Sequence, residues 1–271
     1  MPSEYSGVPG LNVSAADGIL RIEMDAPKRR NALSDVSVEH FIAVLRQAQT
    51  DADLRAVLVT GASGDFCSGF DIVARNAGGD SKRQRVGSIQ RRLPNQAHDL
   101  IPVLCGLQLP VVAAVRGYAV GIGLQIVLAC DFTVVSSTAT LWEPFVKRGM
   151  TPDSGATWLL PRIVGPLRAR QMLMLGRRLT GAEAADWGIA HEAVADDEVA
   201  GRAAALAAEL AAGPTVSLGL TKWLINTGAE RSLREHLTAE AFGMELGSRS
   251  PDFREGLKAF VEKRAPDFTG M

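Results

Sequence analysis

Two segments of this 271-residue chain share one order: an apolar, strand-like run breaks into a glycine turn and restarts as a helix. The first run covers residues 56–61 and reaches its turn at 66–71, and the second covers 111–125. Glycine frees the backbone at such turns and lets a ligand come close. A helix that starts just beyond leaves N–H groups without intrahelical acceptors and with positive dipole character. Two such N–H groups directed at one oxygen would form an oxyanion hole, as enolate chemistry on acyl compounds requires.

Composition indicates a globular protein, because 46% of the residues are apolar and the formal net charge is only −1. This balance gives no basis for general nucleic-acid or membrane binding. No run approaches the roughly 18 apolar residues of a membrane span, and residues 1–10 lack the pattern of a signal peptide. The cysteines and histidines are scattered, so we expect reduced thiols, a cytoplasmic location and no metal site. They are Cys67, Cys105, Cys130, His40, His98, His191 and His236.

The hydrophobic pattern predicts an α/β core followed by helices. Alternating Leu20, Ile22 and Met24 predict a strand after a hairpin at Asp17-Gly18. Ser34 predicts the N-cap of the next helix. From about residue 165 the strand signal fades, and three helices are expected to start near residues 214, 230 and 251. We therefore predict a core with the acyl-CoA site over residues 1–200 and a helical region over 201–271.

Five motifs in the same order resemble the crotonase (enoyl-CoA hydratase/isomerase) superfamily. The resemblance covers nearly the whole chain, which makes it much more specific than any one motif. It implies a spiral of β-β-α units with a C-terminal helical region that forms trimers or dimers of trimers and makes subunit-swapped CoA contacts. It also implies an acyl-CoA thioester substrate and no cofactor besides that coenzyme A. The motifs are residues 26–33 (APKRRNAL), 66–71 (FCSGFD), the turn-and-helix stretch 111–125, the segment 152–165 and 260–264 (FVEKR).

Carried over by position, the resemblance places the oxyanion hole at the backbone N–H groups of Phe70 and Ile122. Phe260 and Lys263 would reach the nucleotide of a neighbouring subunit. The basic stretch at 75–92 could also meet phosphates or simply be a solvated surface. By resemblance, the CoA-binding set is Lys28, Arg30, Ser68, Gly69, Asp71, Ile72, Gly121, Phe260 and Lys263.

The two glutamates that position water in hydratases of this family are absent. Gln125 occupies the first position and Phe145, after Pro144, the second. An amide is no base near neutral pH, and a phenyl ring cannot hold a water. Letting Glu143 replace the second glutamate would break the ungapped spacing to Gly149 and Pro152. The residues expected to line the acyl pocket are Gln125, Trp142 and Phe145.

Asp153 is the remaining carboxylate in this region. The segment 149–162 resembles the branch that contains 1,2-epoxyphenylacetyl-CoA isomerase, and family members use an aspartate here as acid/base or as nucleophile. The hypothesis is an acyl-CoA isomerase in which Asp153 moves a proton between C2 and C4 of an enoyl-CoA, or acts analogously on a ring-derived acyl-CoA. Three alternatives remain: a hydratase or lyase that uses Glu143 or Asp153 with a water, a catalytically silent acyl-CoA-binding protein, and Asp153 as a helix N-cap.

Overall fold

The structure is a computed structural model that describes residues 4–71, 86–95 and 97–271. Its largest sheet has six strands in the order β1-β2-β3-β4-β6-β9, antiparallel between β1 and β2 and parallel elsewhere. A second sheet has the order β5-β7-β8. The α/β class predicted from the sequence is confirmed. The strands are β1 (Leu11–Ala16), β2 (Ile19–Met24), β3 (Ala56–Gly61), β4 (Val111–Val115), β5 (Tyr118–Val120), β6 (Phe132–Ser136), β7 (Thr140–Trp142), β8 (Arg178–Thr180) and β9 (Glu192–Val194).

Local sequence signals explain the first strands. Leu20, Ile22 and Met24 are buried on one face of β2, as their alternation predicts. Asp17 and Gly18 both take positive φ, which suits the tight turn of the β1–β2 hairpin. The expected hairpin and strand are therefore confirmed.

Helices surround these sheets, and side-chain caps fix several of their starts. The Ser37 amide donates to Ser34 Oγ at 3.1 Å, so the predicted cap is confirmed. Thr180 and Glu183 form a complete capping box. The α-helices are α1 (Asp35–Ala48), α2 (Ser88–Arg92), α3 (Leu100–Gly106), α4 (Ile122–Ala129), α5 (Ala156–Leu173, kinked at Gly165), α6 (Gly181–Asp186), α7 (Val199–Ala211), α8 (Thr215–Gly228), α9 (Leu233–Gly247) and α10 (Pro251–Glu262). Short 3-10 helices cover Pro27–Arg29, Leu93–Asn95, Ala97–Asp99 and Phe145–Arg148.

The central strands β3, β4 and β6 of the main sheet are mostly buried on both faces, as is usual for parallel strands. One face joins the large core, and the other packs Leu58 and Val112 against Val199 and Ala203 of α7. Residue 200, the predicted domain boundary, lies inside this helix. The division of the chain at that point stays a prediction.

The C-terminal helices are joined to the core by a buried charge. Lys222 of α8 donates to Asp131 Oδ2 at 2.7 Å and to the carbonyls of Leu104 and Leu109, each at 3.2 Å. Burial raises the pKa of Asp131, and the Lys222 ammonium opposes that effect. The three helices expected after residue 212 are present, although α9 starts at Leu233 rather than near residue 230.

In the described residues no single helix is long and apolar enough to span a membrane. Taken together, α7 and α8 have the length and apolar composition of a membrane span, but the two helices are bent by 106° at their junction. Over the same residues no group of three or more His, Cys, Asp or Glu side chains could hold a metal ion.

Candidate active site

The first glycine turn is held between two short parallel bridges. The Cys67 carbonyl accepts a hydrogen bond from the Val120 amide at 2.9 Å, and the Cys67 amide donates to the Tyr118 carbonyl at 2.8 Å. Burial raises the pKa of the Cys67 thiol to about 12, so this side chain is core packing, as expected. Asn31, almost fully buried, donates to the carbonyls of Ala62 at 2.8 Å and Asp65 at 2.6 Å. The loop that contains Lys28 and Arg30 is thereby fixed to the base of the turn.

The second bridge sets the direction of the Phe70 amide. The Leu33 amide donates to the Gly69 carbonyl at 2.9 Å, and the Asp71 amide donates to the Leu33 carbonyl at 3.0 Å. In a parallel bridge of this kind, the N–H of the residue between the two bonded positions points away from the neighbouring strand. The Phe70 N–H therefore points away from Leu33, toward the side of the turn where β5 lies.

The second glycine turn packs directly against the first. Gly121 has φ 56° and leads into Ile122, the first residue of α4, whose N–H has no intrahelical acceptor. A Cβ on Gly69 would lie 3.3 Å from the Val120 carbonyl oxygen. A Cβ on Gly123 would lie only 2.4 Å from the Cys67 carbonyl oxygen. The two turns can approach this closely because glycine occupies both contact positions.

Two buried polar side chains are neighbours one helical turn beyond Ile122. They are Gln125 and Glu143, which are completely buried; Ser154, next to Asp153 in the chain, is nearly so. Their side-chain amide, carboxyl and hydroxyl atoms have no hydrogen-bond partner within the described part of the chain. Sequence reasoning gave Glu143 little weight, because the motif spacing placed Phe145 in the glutamate position. The signal that could have found it is strand alternation, since Glu143 lies two residues beyond buried Leu141.

Burial raises the pKa of Glu143 well above its usual range, and the charge of Asp153 raises it further. The Gln125 amide opposes the shift, so these three side chains are electrostatic neighbours. That amide approaches Glu143 but does not reach hydrogen-bond geometry with it. The structure thus places two carboxyl groups of unequal burial near the first turn of α4.

Asp153 is half-buried and precedes α5. The N-cap of α5 is Gly155, with no side-chain cap, so the interpretation of Asp153 as the capping residue is wrong. Phe145 is also half-buried and starts a 3-10 helix. The Trp142 indole donates to the Gly176 carbonyl at 3.0 Å and stacks on Arg178. The roles of Phe145 and Trp142 in an acyl pocket stay predictions.

The expected CoA-binding residues form two groups, one around the two glycine turns and one at the end of α10. Arg30 stacks over the Tyr118 ring at 4.5 Å, and Ser68 Oγ donates to the Arg29 carbonyl at 2.9 Å. Arg29 forms an ion pair with Asp71, which fixes that carboxylate beside the turn. In the second group, Phe260 is 84% exposed near the end of α10 and Lys263 caps that helix.

Lys28 is exposed in the loop below the first turn, and Gly69 and Gly121 form the turns themselves. Ile72 and residues 75–85 of the basic stretch lie outside the described residues. The CoA-binding assignments stay predictions.

This arrangement of fold and turns matches one known class of protein. The family model for enoyl-CoA hydratase/isomerase matches residues 14–271. The crystal structure of an enoyl-CoA hydratase from Bacillus anthracis superposes with a TM-score of 0.89 at 29% identity, covering 97% of this chain and all of that one. The chain belongs to the enoyl-CoA hydratase/isomerase family, and the predicted crotonase-type fold is confirmed.

Two relatives carry different reaction names. The 1,2-epoxyphenylacetyl-CoA isomerase of Escherichia coli is 36% identical over 253 residues, which are 93% of this chain and 95% of that protein. A probable enoyl-CoA hydratase of Rhodobacter capsulatus is 36% identical over 261 residues, 96% and 98% of the two chains. Family membership therefore defines a CoA-thioester enzyme without selecting one reaction.

Proposed function

We propose that this protein is an acyl-CoA isomerase in which Asp153 is the acid/base. The observation that carries the proposal is that Asp153 lies near Glu143, a completely buried carboxyl whose pKa burial raises well above its usual range. When two neighbouring carboxyls have unequal pKa values, the ionised one is the base. The proposal assigns the ionised form to Asp153, whose charge contributes to the raised pKa of Glu143.

The proposed reaction needs one base and one oxyanion hole. Asp153 removes a proton from C2 of a 3-enoyl-CoA, and the electron pair moves onto the thioester oxygen. The backbone N–H groups of Phe70 and Ile122 would stabilise that enolate, and each such donor contributes on the order of 3 kcal/mol. Asp153 then returns the same proton to C4, which gives the conjugated 2-enoyl-CoA.

A hydratase that uses Glu143 is the second candidate, because the structure brings this residue to Gln125 and close to Asp153. A hydratase would need both carboxyls to contact one water. Both Glu143 oxygens are out of contact with solvent, which favours isomerisation over water addition. Loss of conjugated-thioester absorbance from crotonyl-CoA would identify the hydratase.

The test of the proposal is Asp153→Asn with 3-hexenoyl-CoA, followed through the absorbance of the conjugated product. We expect kcat to fall by about 10²- to 10⁴-fold, since an amide cannot accept the proton. Affinity for hexanoyl-CoA, measured by calorimetry, should stay within about threefold, because the amide keeps the shape of the carboxylate.

The matched control is Asp186→Asn, which removes an exposed aspartate on α6 and should leave the rate unchanged. Isomerisation by Asp153→Asn at nearly the wild-type rate would contradict the proposal. Tight binding of acyl-CoA esters without turnover of any 2-enoyl, 3-enoyl or aromatic ester would identify a silent family member instead.

A further inference from the structure

Glu143 lies immediately beside the second glycine turn. The Gly121 amide donates to the Trp142 carbonyl at 3.0 Å, so the peptide that leads into Glu143 contacts the turn that presents Ile122. Strand alternation places the Glu143 side chain on the side of buried Leu141, opposite to Trp142. This position directs its carboxyl toward α4 and Gln125.

Neither oxygen of this carboxyl has a hydrogen-bond donor among the described residues. Over the same residues the neighbouring Gln125 amide is equally without a partner, although that side chain is completely buried. An ionised carboxylate without donors or a counter-ion is strongly unfavourable in a protein interior, so such a group takes up a proton instead. A protonated carboxyl is uncharged and avoids that cost.

The charges around Glu143 act in the same direction. From the segment before α5, Asp153 contributes a negative charge, and from α4 the Gln125 side chain is uncharged. The cation of β8, Arg178, lies 4.1 Å from the centre of the Trp142 ring, on the other side of the strand. Lys147 extends along Gly176 rather than toward α4. In the described part of the chain, the ionisable group whose charge acts on Glu143 is therefore Asp153.

We propose that Glu143 keeps its proton at neutral pH and is the uncharged member of the site, so that Asp153 carries the only negative charge of the pair. This role rests on the isomerase function proposed above. During the reaction the charge moves from Asp153 to the enolate oxygen, while the proton of Glu143 stays in place. If Glu143 lost that proton, a second negative charge would lie beside the forming enolate and would raise the barrier.

The test compares wild type with Glu143→Gln, which keeps the shape and the neutrality of the protonated side chain. The pH dependence of kcat/KM for 3-hexenoyl-CoA is measured together with the infrared band of a protonated carboxylic acid. We expect the band at neutral pH in wild type and its absence in the variant. The variant should keep activity within about threefold at neutral pH and show the same acidic limb, because a neutral group replaces a neutral group.

At high pH the two proteins should differ. In wild type the infrared band and kcat/KM should decrease together, by about tenfold in rate per pH unit beyond the ionisation. Glu143→Gln cannot ionise and should not show that decrease. Glu143→Met, which also lacks a titratable group, provides the same comparison if the glutamine variant does not fold. Glu209→Gln, which removes an exposed carboxyl on α7, is the matched control and should follow wild type.

Three results would overturn the proposal: no band at neutral pH, an acidic limb that moves in Glu143→Gln, or a loss of activity as large as that of Asp153→Asn. Failure of the isomerase function is distinguishable, because the infrared measurement needs no turnover. If the protein isomerised no ester but showed the Glu143 band, the proposed reaction would be refuted. The proposal that Glu143 is neutral would still stand.

Discussion

At the scale of single residues, Glu143 should make the folding stability depend on pH. Its carboxyl ionises with a pKa near 4.5 in the unfolded chain, whereas burial raises the pKa in the folded protein. Its stabilising contribution is therefore fully present below the unfolded value and is lost as pH rises through the folded value.

Glu143→Gln removes this dependence. Its free energy of unfolding relative to wild type should increase by about 1.4 kcal/mol per pH unit between the unfolded and the folded pKa of Glu143, and then level off. Urea unfolding of both proteins across that range measures the difference. A difference that does not change with pH would contradict the buried neutral carboxyl.

The residues of the site also show where sequence reasoning stops. The sequence predicts roles for Asp153, Phe70 and Ile122 through motifs whose spacing is local. The proposed role of Glu143 depends on two features: its side chain lies on the same face as that of Leu141 in β7, and it is close to Gln125 of α4. The motif spacing predicts neither feature. Gln125 is likewise visible in the sequence only as a missing glutamate, whereas the structure shows that its amide has no hydrogen-bond partner among the described residues.

At the scale of elements, the close contact between the two glycine turns leads to a prediction about Gly123→Ala. The added methyl group would lie 2.4 Å from the Cys67 carbonyl oxygen, a backbone atom that cannot move independently of its turn. Overpacking of this kind costs about 1–3 kcal/mol of stability. It should also separate the turns and lower kcat for an enoyl-CoA more than it weakens binding.

Gly201→Ala is the matched control, because a Cβ on this α7 glycine has no neighbour within 4 Å. It should stabilise the protein by about 0.5–1 kcal/mol through helix propensity, with unchanged activity. Thermal unfolding and enoyl-CoA turnover of both variants provide the comparison. Wild-type stability and kcat in Gly123→Ala would show that the turns do not need this close contact.

The elements that sequence reasoning missed are short strands that depend on distant partners. β5 has three residues, and its pairing with Cys67 and with β7 fixes it in place. β8 and β9, also of three residues, form after residue 165, where the strand signal had faded. Three residues are too few for a periodic pattern, so only tertiary pairing defines these strands.

At the scale of the whole molecule, exposed apolar side chains are concentrated on the C-terminal helices. Phe242 and Met244 of α9 and Val261 of α10 are largely exposed, as are Leu167 and Met174 around α5. Apolar patches of this kind commonly mark association surfaces. They support the prediction, made from the family resemblance, that the C-terminal region forms trimers or dimers of trimers.

Phe242→Glu tests that assembly, because a charge introduced into an apolar subunit contact would be buried without a partner. Light scattering should give a trimeric or hexameric mass for wild type and a smaller mass for the variant. Val36→Glu, at an exposed position on α1, is the matched control and should keep the wild-type mass. Because Phe260 and Lys263 are expected to contact the CoA of a neighbouring subunit, dissociation should also weaken acyl-CoA binding by about tenfold or more. A monomeric wild type, or a dissociated variant with unchanged affinity, would contradict the shared CoA site.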